Sequence, residues 1–444
     1  MKTRRFIIGT LLTAWVLGRC ALARAEDVLP PGVNVQRDLS RNAAWLLIAV
    51  FLVMLMQAGF VLLETGLTRA KNAAHTSFMV FFGPALAVVG FWIAGAGLMN
   101  TGAGFFFRQL GTDSSASAHC LFDLALVGIA VVIPIGAMAE RWTLKSFYPY
   151  ALFMSALLFP LFGRWTWGGG WLTQLGIGHG FVDFAGAGVL HAVGGLCALA
   201  GCLVLGPRIG KYGKNGIVMP VLAHNVPLAL AGSLLLALAW LALHCARALT
   251  VLGVASLGMI AVVTLLAGTG GAVFAALYTI GTTGKPDPTL VANGLLAGLV
   301  ASSGSAAFVG LGSAFVIGAV AGLLACLTVK WLDRFQIDDP VGAVAIHGVG
   351  GLWGVIAVGL FANGESVHGL FHGDPGQLLA QLVGCAVLAV WAFGVPWLFF
   401  TALNRIVPMR VAPEMEREGL DVSETGVLGY PDFQHHSEEG RLRW

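Results

Sequence analysis

Apolar stretches of roughly 20 residues, the length an α-helix needs to cross about 30 Å of hydrocarbon, recur along almost the whole of this 444-residue chain. Short polar loops separate them. A soluble fold is excluded on composition, because 57% hydrophobic and 11% charged residues leave too little polar surface to coat a core. Transmembrane strands would each need about ten alternating residues, and no such alternation is present. The 61 glycines suit helices in lipid, which associate through small residues that let backbones approach closely. The pattern predicts an all-α polytopic protein with spans near 43–63, 78–99, 120–138, 147–163, 183–205, 217–241, 250–278, 289–306, 308–330, 340–361 and 377–403, eleven in all.

The two ends of the chain differ from the middle. Lys2, Arg4 and Arg5 precede an apolar run from Phe6 to Leu17, and Ala23-Arg24-Ala25 follows, so residues 1–25 are expected to be a cleavable signal peptide. Residues 26–407 form the membrane domain, and the charged residues 408–444 a cytoplasmic tail. With an exported N-terminus, the inside loops hold Arg69, Lys71, Arg141, Lys145, Arg208, Lys211, Lys214, Lys285, Lys330, Arg334 and Arg405, whereas few basic residues stay outside. This asymmetry places the C-terminus in the cytoplasm and requires an odd number of spans. Six cysteines remain after cleavage (Cys120, Cys197, Cys202, Cys245, Cys326 and Cys385), without metal-ligand spacing, and are expected to be small buried hydrophobes.

An internal repeat appears when the fifth span is laid on the tenth. Asp183-Phe-Ala-Gly-Ala-Gly-Val-Leu-His191-Ala-Val-Gly-Gly195 matches Asp339-Pro-Val-Gly-Ala-Val-Ala-Ile-His347-Gly-Val-Gly-Gly351 at seven of thirteen positions without a gap. Five spans separate the copies, so they run in opposite directions. That is the arrangement of an inverted repeat, whose substrate site lies near the midplane between its halves. His191 and His347 therefore fall near a two-fold axis, where two imidazoles can meet, share a proton between ring nitrogens, or hydrogen-bond a small hydride. Two nitrogens without a carboxylate or thiolate make a poor metal site. Asp183 and Asp339 are expected to cap the N-termini of their helices. Trp167-Gly-Gly-Gly-Trp171 and Phe122 supply aromatic rings near the outer ends of their segments, either as interfacial anchors or as a cation–π vestibule.

Several segments resemble motifs of the Amt/Rh ammonium transporter superfamily, in the family's order and over nearly all of the mature chain. They are Met56-Gln-Ala-Gly-Phe-Val-Leu-Leu-Glu64 through Arg69-Ala-Lys-Asn-Ala73, Gly136-Ala-Met-Ala-Glu-Arg141, Trp167-Gly-Gly-Gly170, Asp183-Phe-Ala-Gly186 with His191, His224-Asn225, and Asp338-Asp-Pro340 with His347-Gly348. Pro408 to Asp421 resembles the cytoplasmic tail of the bacterial Amt branch. The resemblance implies a homotrimer of eleven-helix subunits built as a 5+5 inverted repeat plus a final helix, a pore through each subunit, and a tail regulated by PII signal-transduction proteins.

Carried over residue by residue, the resemblance makes His191 and His347 the pore's twin histidines, Asp183 its supporting aspartate, Trp167 its vestibule tryptophan and Phe122 the outer of two stacked phenylalanines. The vestibule and gate also depart from the family. Leu126 stands where the inner gating phenylalanine is expected, Asp123 follows Phe122, His244-Cys-Ala-Arg247 replaces an Asn-Ala-Gly-Ser stretch, Ser303-Gly304 replaces Thr-Pro, and Gly342 replaces an aspartate. Arg247 matters most. A guanidinium about 6 Å from a bound ammonium, at an effective dielectric near 20, would cost roughly 3 kcal/mol, or about a hundredfold in occupancy. Asp123 is the expected partner that would cancel this repulsion.

The implied function is passage of ammonium or ammonia across a bacterial cytoplasmic membrane, without enzymatic chemistry, cofactor, metal or nucleic acid. Three alternatives stand beside it: a poorly conducting receptor that signals through PII, a channel for methylamine or a neutral gas, and a metal-sensing mouth built from His119, His179, His244, His368 and His372.

Overall fold

The computed structural model describes residues 34–112, 114–251 and 257–431. The expected signal peptide and the end of the tail lie outside these residues. Among the described residues the chain is helical, with isolated bridges in place of any β-sheet. Ten helices are long and apolar enough to cross a membrane: α1 (Asn42–Leu67), α2 (Ala70–Met99), α3 (Ser114–Met138), α4 (Leu144–Gln174), α5 (Ala187–Leu205), α6 (Val226–Val251), α7 (Leu257–Thr283), α9 (Leu311–Arg334), α10 (Val344–Phe361) and α11 (Pro375–Ile406). Between α7 and α9 lies α8 (Pro288–Ser305), at the place of the eighth expected span but not one of the ten.

The repeat seen in the sequence is also a repeat of shape. Both α5 and α10 open with a π-helical turn, Ala187–Ala192 and Val344–Val349, and each turn carries its histidine. Each is preceded by an aspartate that binds free backbone N–H groups. Asp183 accepts from Gly186 and Ala187 on one oxygen, at 3.0 and 2.9 Å, and from Gly188 and Val189 on the other, at 2.9 and 2.8 Å. Asp339 accepts from Gly342 at 3.0 Å and Val344 at 2.8 Å. These bonds satisfy orphan donors at a helix start, as the two aspartates are expected to do. The halves meet where α1 packs along α6 and α5 against α10. A Cβ at Gly195 would overlap the Gly348 backbone, so these helices touch main chain to main chain.

The sixth span differs from expectation, beginning at Val226 and running to Val251 instead of covering 217–241. Residues before it are apolar but not helical, because their backbone groups are committed elsewhere. His224 and Asn225 donate N–H groups to the carbonyls of Thr68 and Gly66, at 3.2 and 3.1 Å. The Asn225 side chain then accepts from Leu228 N–H at 3.0 Å and starts the helix. The consequence is a shift of register: His244 and Arg247, expected at a loop, lie inside α6.

The loops that leave α1, α3, α5 and α9 gather on one face with the chain beyond α11. Glu140, fully buried, pairs with Arg69 and Arg208, and the Arg208 guanidinium also forks onto Asp338 at 2.8 and 2.9 Å. Burial alone would raise the Asp338 carboxyl, but Arg208 and Arg141 hold it well below the usual carboxylate range. The tail docks on this same face through the short helix α12 (Pro413–Glu418) and the turn after it. Arg410 pairs with Glu416 at 2.9 Å, Leu420 N–H donates to Asn72 at 2.9 Å, His75 N–H donates to Asp421 at 2.9 Å, and Tyr430 meets His224 at 2.9 Å. Glu416, Leu420 and Asp421 are buried, so residues 408–431 are a fitted cover and not a free arm.

Candidate functional site

At the centre of the fold the Nδ1 atoms of His191 and His347 lie 3.2 Å apart, with ring centroids 5.2 Å apart and planes inclined by 25°. Both rings are buried. Trp240 of α6 stacks on His191 at 4.8 Å and lies nearly parallel to His347 at 6.5 Å, while Phe60 of α1 approaches His347 at 6.0 Å. The pair is thus walled by aromatic carbon and linked through one nitrogen of each ring.

That linkage determines what the pair can do. Two neutral rings joined Nδ1 to Nδ1 must be opposite tautomers, one donating and one accepting, because each neutral imidazole carries a single N–H. The ring that accepts at Nδ1 therefore bears its proton on Nε2, and the ring that donates offers a bare Nε2. One end of the pair is a donor and the other an acceptor, whichever way the proton sits. Nε2 of His191 is buried and has no protein partner, so its hydrogen-bonding capacity is unused within the protein. An excess proton arriving at one Nε2 can leave from the other after both rings change tautomer, which is a relay.

A second cluster lies around Trp167, beside Asp183. Trp167 Nε1 donates to the Asp183 carbonyl at 2.7 Å, and the Arg247 guanidinium carbon sits 4.5 Å from the Trp167 ring centroid. Arg247 Nε donates to the Phe184 carbonyl at 2.7 Å. The expected Asp123–Arg247 partnership takes a different form. The ion pairs among the described residues do not include an Asp123–Arg247 pair. The reason is the register of α6, which places Arg247 on the aromatic ring and the Phe184 carbonyl. Phe122 and Leu126 are both buried on α3, one turn apart.

Ser303 joins Trp240 to His244. Its hydroxyl accepts from Trp240 Nε1 at 3.0 Å and meets His244 Nε2 at 2.9 Å, and His244 Nδ1 meets Thr264 at 2.7 Å. His244 is fully buried within α6, and the five histidines of the alternative metal-sensing mouth form no metal-binding group among the described residues. Trp240 and Phe60 are the site residues that sequence reasoning missed, and His244, read there as part of the vestibule stretch, lies instead inside α6 against Ser303 and Thr264. Trp240 and His244 are four apart on one helix face, a spacing that becomes informative once both are known to lie inside the same helix.

Comparison with known proteins bears on the family and the fold. The model of the Ammonium Transporter Family matches residues 44–430. Ammonium transporter Amt2 of Archaeoglobus fulgidus is 38% identical over 419 residues, covering 89% of each chain. Ammonium transporter Amt1 of Haloferax mediterranei is 35% identical over 418 residues, covering 88% of this chain and 80% of its own. Among solved structures, one titled Sensor Amt Protein superposes with a TM-score of 0.82 at 32% identity, covering 88% of this chain and 99% of that one. Mep2 of Candida albicans superposes with a TM-score of 0.76 at 26% identity, covering 84% and 86%.

Proposed function

This chain belongs to the ammonium transporter family, and from that premise we propose that it carries ammonium, or its ammonia component, across a membrane by way of the His191–His347 pair. The observation that carries the reading is the 3.2 Å contact between two buried, repeat-related imidazoles, each walled by an aromatic ring. Such a pair strips or relays a proton without water. In this reading α8 completes eleven spans, the protein is a homotrimer of the bacterial Amt branch in the cytoplasmic membrane, and residues 1–25 are removed on export. The N-terminus is outside and the tail is cytoplasmic, where residues 408–444 receive a PII-type partner. The burial of Glu416 and Asp421, bonded to Ile209 after α5 and to His75 of α2, supports a tail coupled to the pore.

A current assay on proteoliposomes tests the function directly. Pulses of ammonium should give transient currents that choline does not, with methylammonium giving smaller ones. A parent protein that is incorporated, folded and silent would favour the receptor reading. That reading has its own observation: the Trp167 face that would greet a cation is already covered by Arg247.

A further inference from the structure

Glu64 is a buried ionisable side chain that neither the histidine pair nor the ion-pair network uses. It is 2% exposed, and its Oε2 has no hydrogen-bond partner within the protein. It lies on α1 four residues beyond Phe60, the ring that approaches His347, and residues four apart share a helix face. Glu64 is therefore one turn further along the path, on the side where the tail docks. A Cβ on Gly136 of α3 would stand 2.8 Å from Glu64 Cδ and 2.5 Å from Val341 Cγ2, so only a glycine leaves room for the carboxyl beside Val341.

The neighbours of Glu64 do not compensate it. Among the described residues the charged group that acts on it is a second carboxylate, Asp339, which is committed to the N–H groups of Gly342 and Val344. The Tyr150 hydroxyl donates to the Val131 carbonyl at 2.9 Å. Arg69, Arg208 and Arg141, the basic groups of the adjoining face, are bound to Glu140, Asp338 and main-chain carbonyls. Across Val341 lies Asn293 of α8, whose Nδ2 donates to the Val341 carbonyl at 3.2 Å and whose Oδ1 is buried without a partner. Two orphaned acceptor oxygens thus flank Val341, six residues before His347. Orphaned buried acceptors are rare, and intramembrane carboxyls without a partner are costly.

We infer that Glu64, with Asn293 across Val341 from it, forms a tail-side binding site for ammonium, in which the carboxylate supplies the countercharge and the two free oxygens accept N–H bonds. The inference rests on the transport reading of the same path and adds a station to it. When the site is empty the carboxyl carries a proton. As ammonium enters, the Glu64 O–H bond breaks, the proton leaves to solvent on the tail side, and an N–H···O⁻ bond to the intact cation takes its place, so charge is conserved at the site.

Infrared difference spectroscopy on the purified full-length protein tests this without requiring conduction. Adding ammonium chloride should remove the carbonyl stretch of a protonated carboxylic acid and raise a carboxylate band, while choline chloride should do neither. Glu64→Gln should abolish the change, and Asn293→Ala should raise the ammonium concentration for half-change about tenfold, as expected for one hydrogen bond to a charged group. If Glu64→Gln yields no folded protein, Glu64→Asp takes its place, with a shifted band and weaker ammonium response expected. No change in the parent, the same change in Glu64→Gln, or an unshifted band in Glu64→Asp overturns the site. Currents measured on the same preparations separate the two readings: a conducting parent without the Glu64 band loses only the site, and a silent parent with it loses only transport.

Discussion

Replacing Arg247 with serine should make the protein take up ammonium at lower concentration. Its guanidinium lies 4.5 Å from the Trp167 centroid, the seat that a hydrated cation would use on its way in. A cation brought to the rim of that ring would stand about 6 Å from the guanidinium, and at an effective dielectric near 20 the repulsion is about 3 kcal/mol, or roughly a hundredfold in affinity. The same change removes the bond from Arg247 Nε to the Phe184 carbonyl, so stability should fall by about 1.5–3 kcal/mol, the range for a hydrogen bond to a charged group. Apparent affinity and melting temperature should therefore move in opposite directions. Ammonium-concentration series of proteoliposome currents read the first, and thermal unfolding in detergent reads the second. Because the donated bond goes to a carbonyl and not to Asp123, the double variant Asp123→Gln with Arg247→Ser should not regain the lost stability. Unchanged affinity in Arg247→Ser would refute the reasoning, and full recovery in the double variant would show that a direct Asp123–Arg247 pair forms after all.

Three further outcomes follow from the same structure. His191→Ala and His347→Ala should preserve yield and folding but alter the charge carried per solute, measured as current against uptake of labelled methylammonium; parental behaviour in both variants would make the rings mere core. Asp338→Asn should lower thermal stability by about 3–5 kcal/mol, since it leaves Arg208 buried beside one carboxylate where it had two. The Asp338 carboxyl is held below its ordinary range, so its contribution is complete above the unfolded value of about 3.9 and is lost only as pH falls further toward the folded one, and melting curves of the parent should not change on its account at neutral pH. Asp421→Ala should release the tail, because that carboxylate holds the N–H groups of His75 and Gly429; faster hydrogen exchange over residues 413–430 and an altered response to a PII-type protein are expected.

The legible part of the fold was whatever depended on composition and period. The all-helical architecture and the order of the ten long apolar helices followed from the apolar stretches, and the repeat of Asp183 with His191 on Asp339 with His347 survives as paired caps and paired π turns. The register of α6 was not legible, because residues 217–225 are apolar enough to pass for helix. What keeps them out of the helix is a set of backbone bonds to Gly66 and Thr68 from a distant part of the chain. A local pattern carries no trace of such partners.

That single shift explains why the polar residues of α6 were the hardest to place. Set at the outer loop, His244 and Arg247 read as solvent-facing groups. Set inside the helix, they become the two ends of a continuous arrangement. His244 is held by Thr264 and Ser303, Ser303 accepts from Trp240, and Trp240 stacks on His191. One turn toward Asp183, Arg247 lies on Trp167, which is itself tied to the Asp183 carbonyl that begins the turn bearing His191. Both routes end on His191 and none of their members is free to relax alone, since each polar atom would lose its partner in a buried setting. The departures from the family pattern at His244, Arg247 and Ser303 are therefore coupled, and reverting one of them singly should disturb the orientation of the histidine pair more than reverting the set.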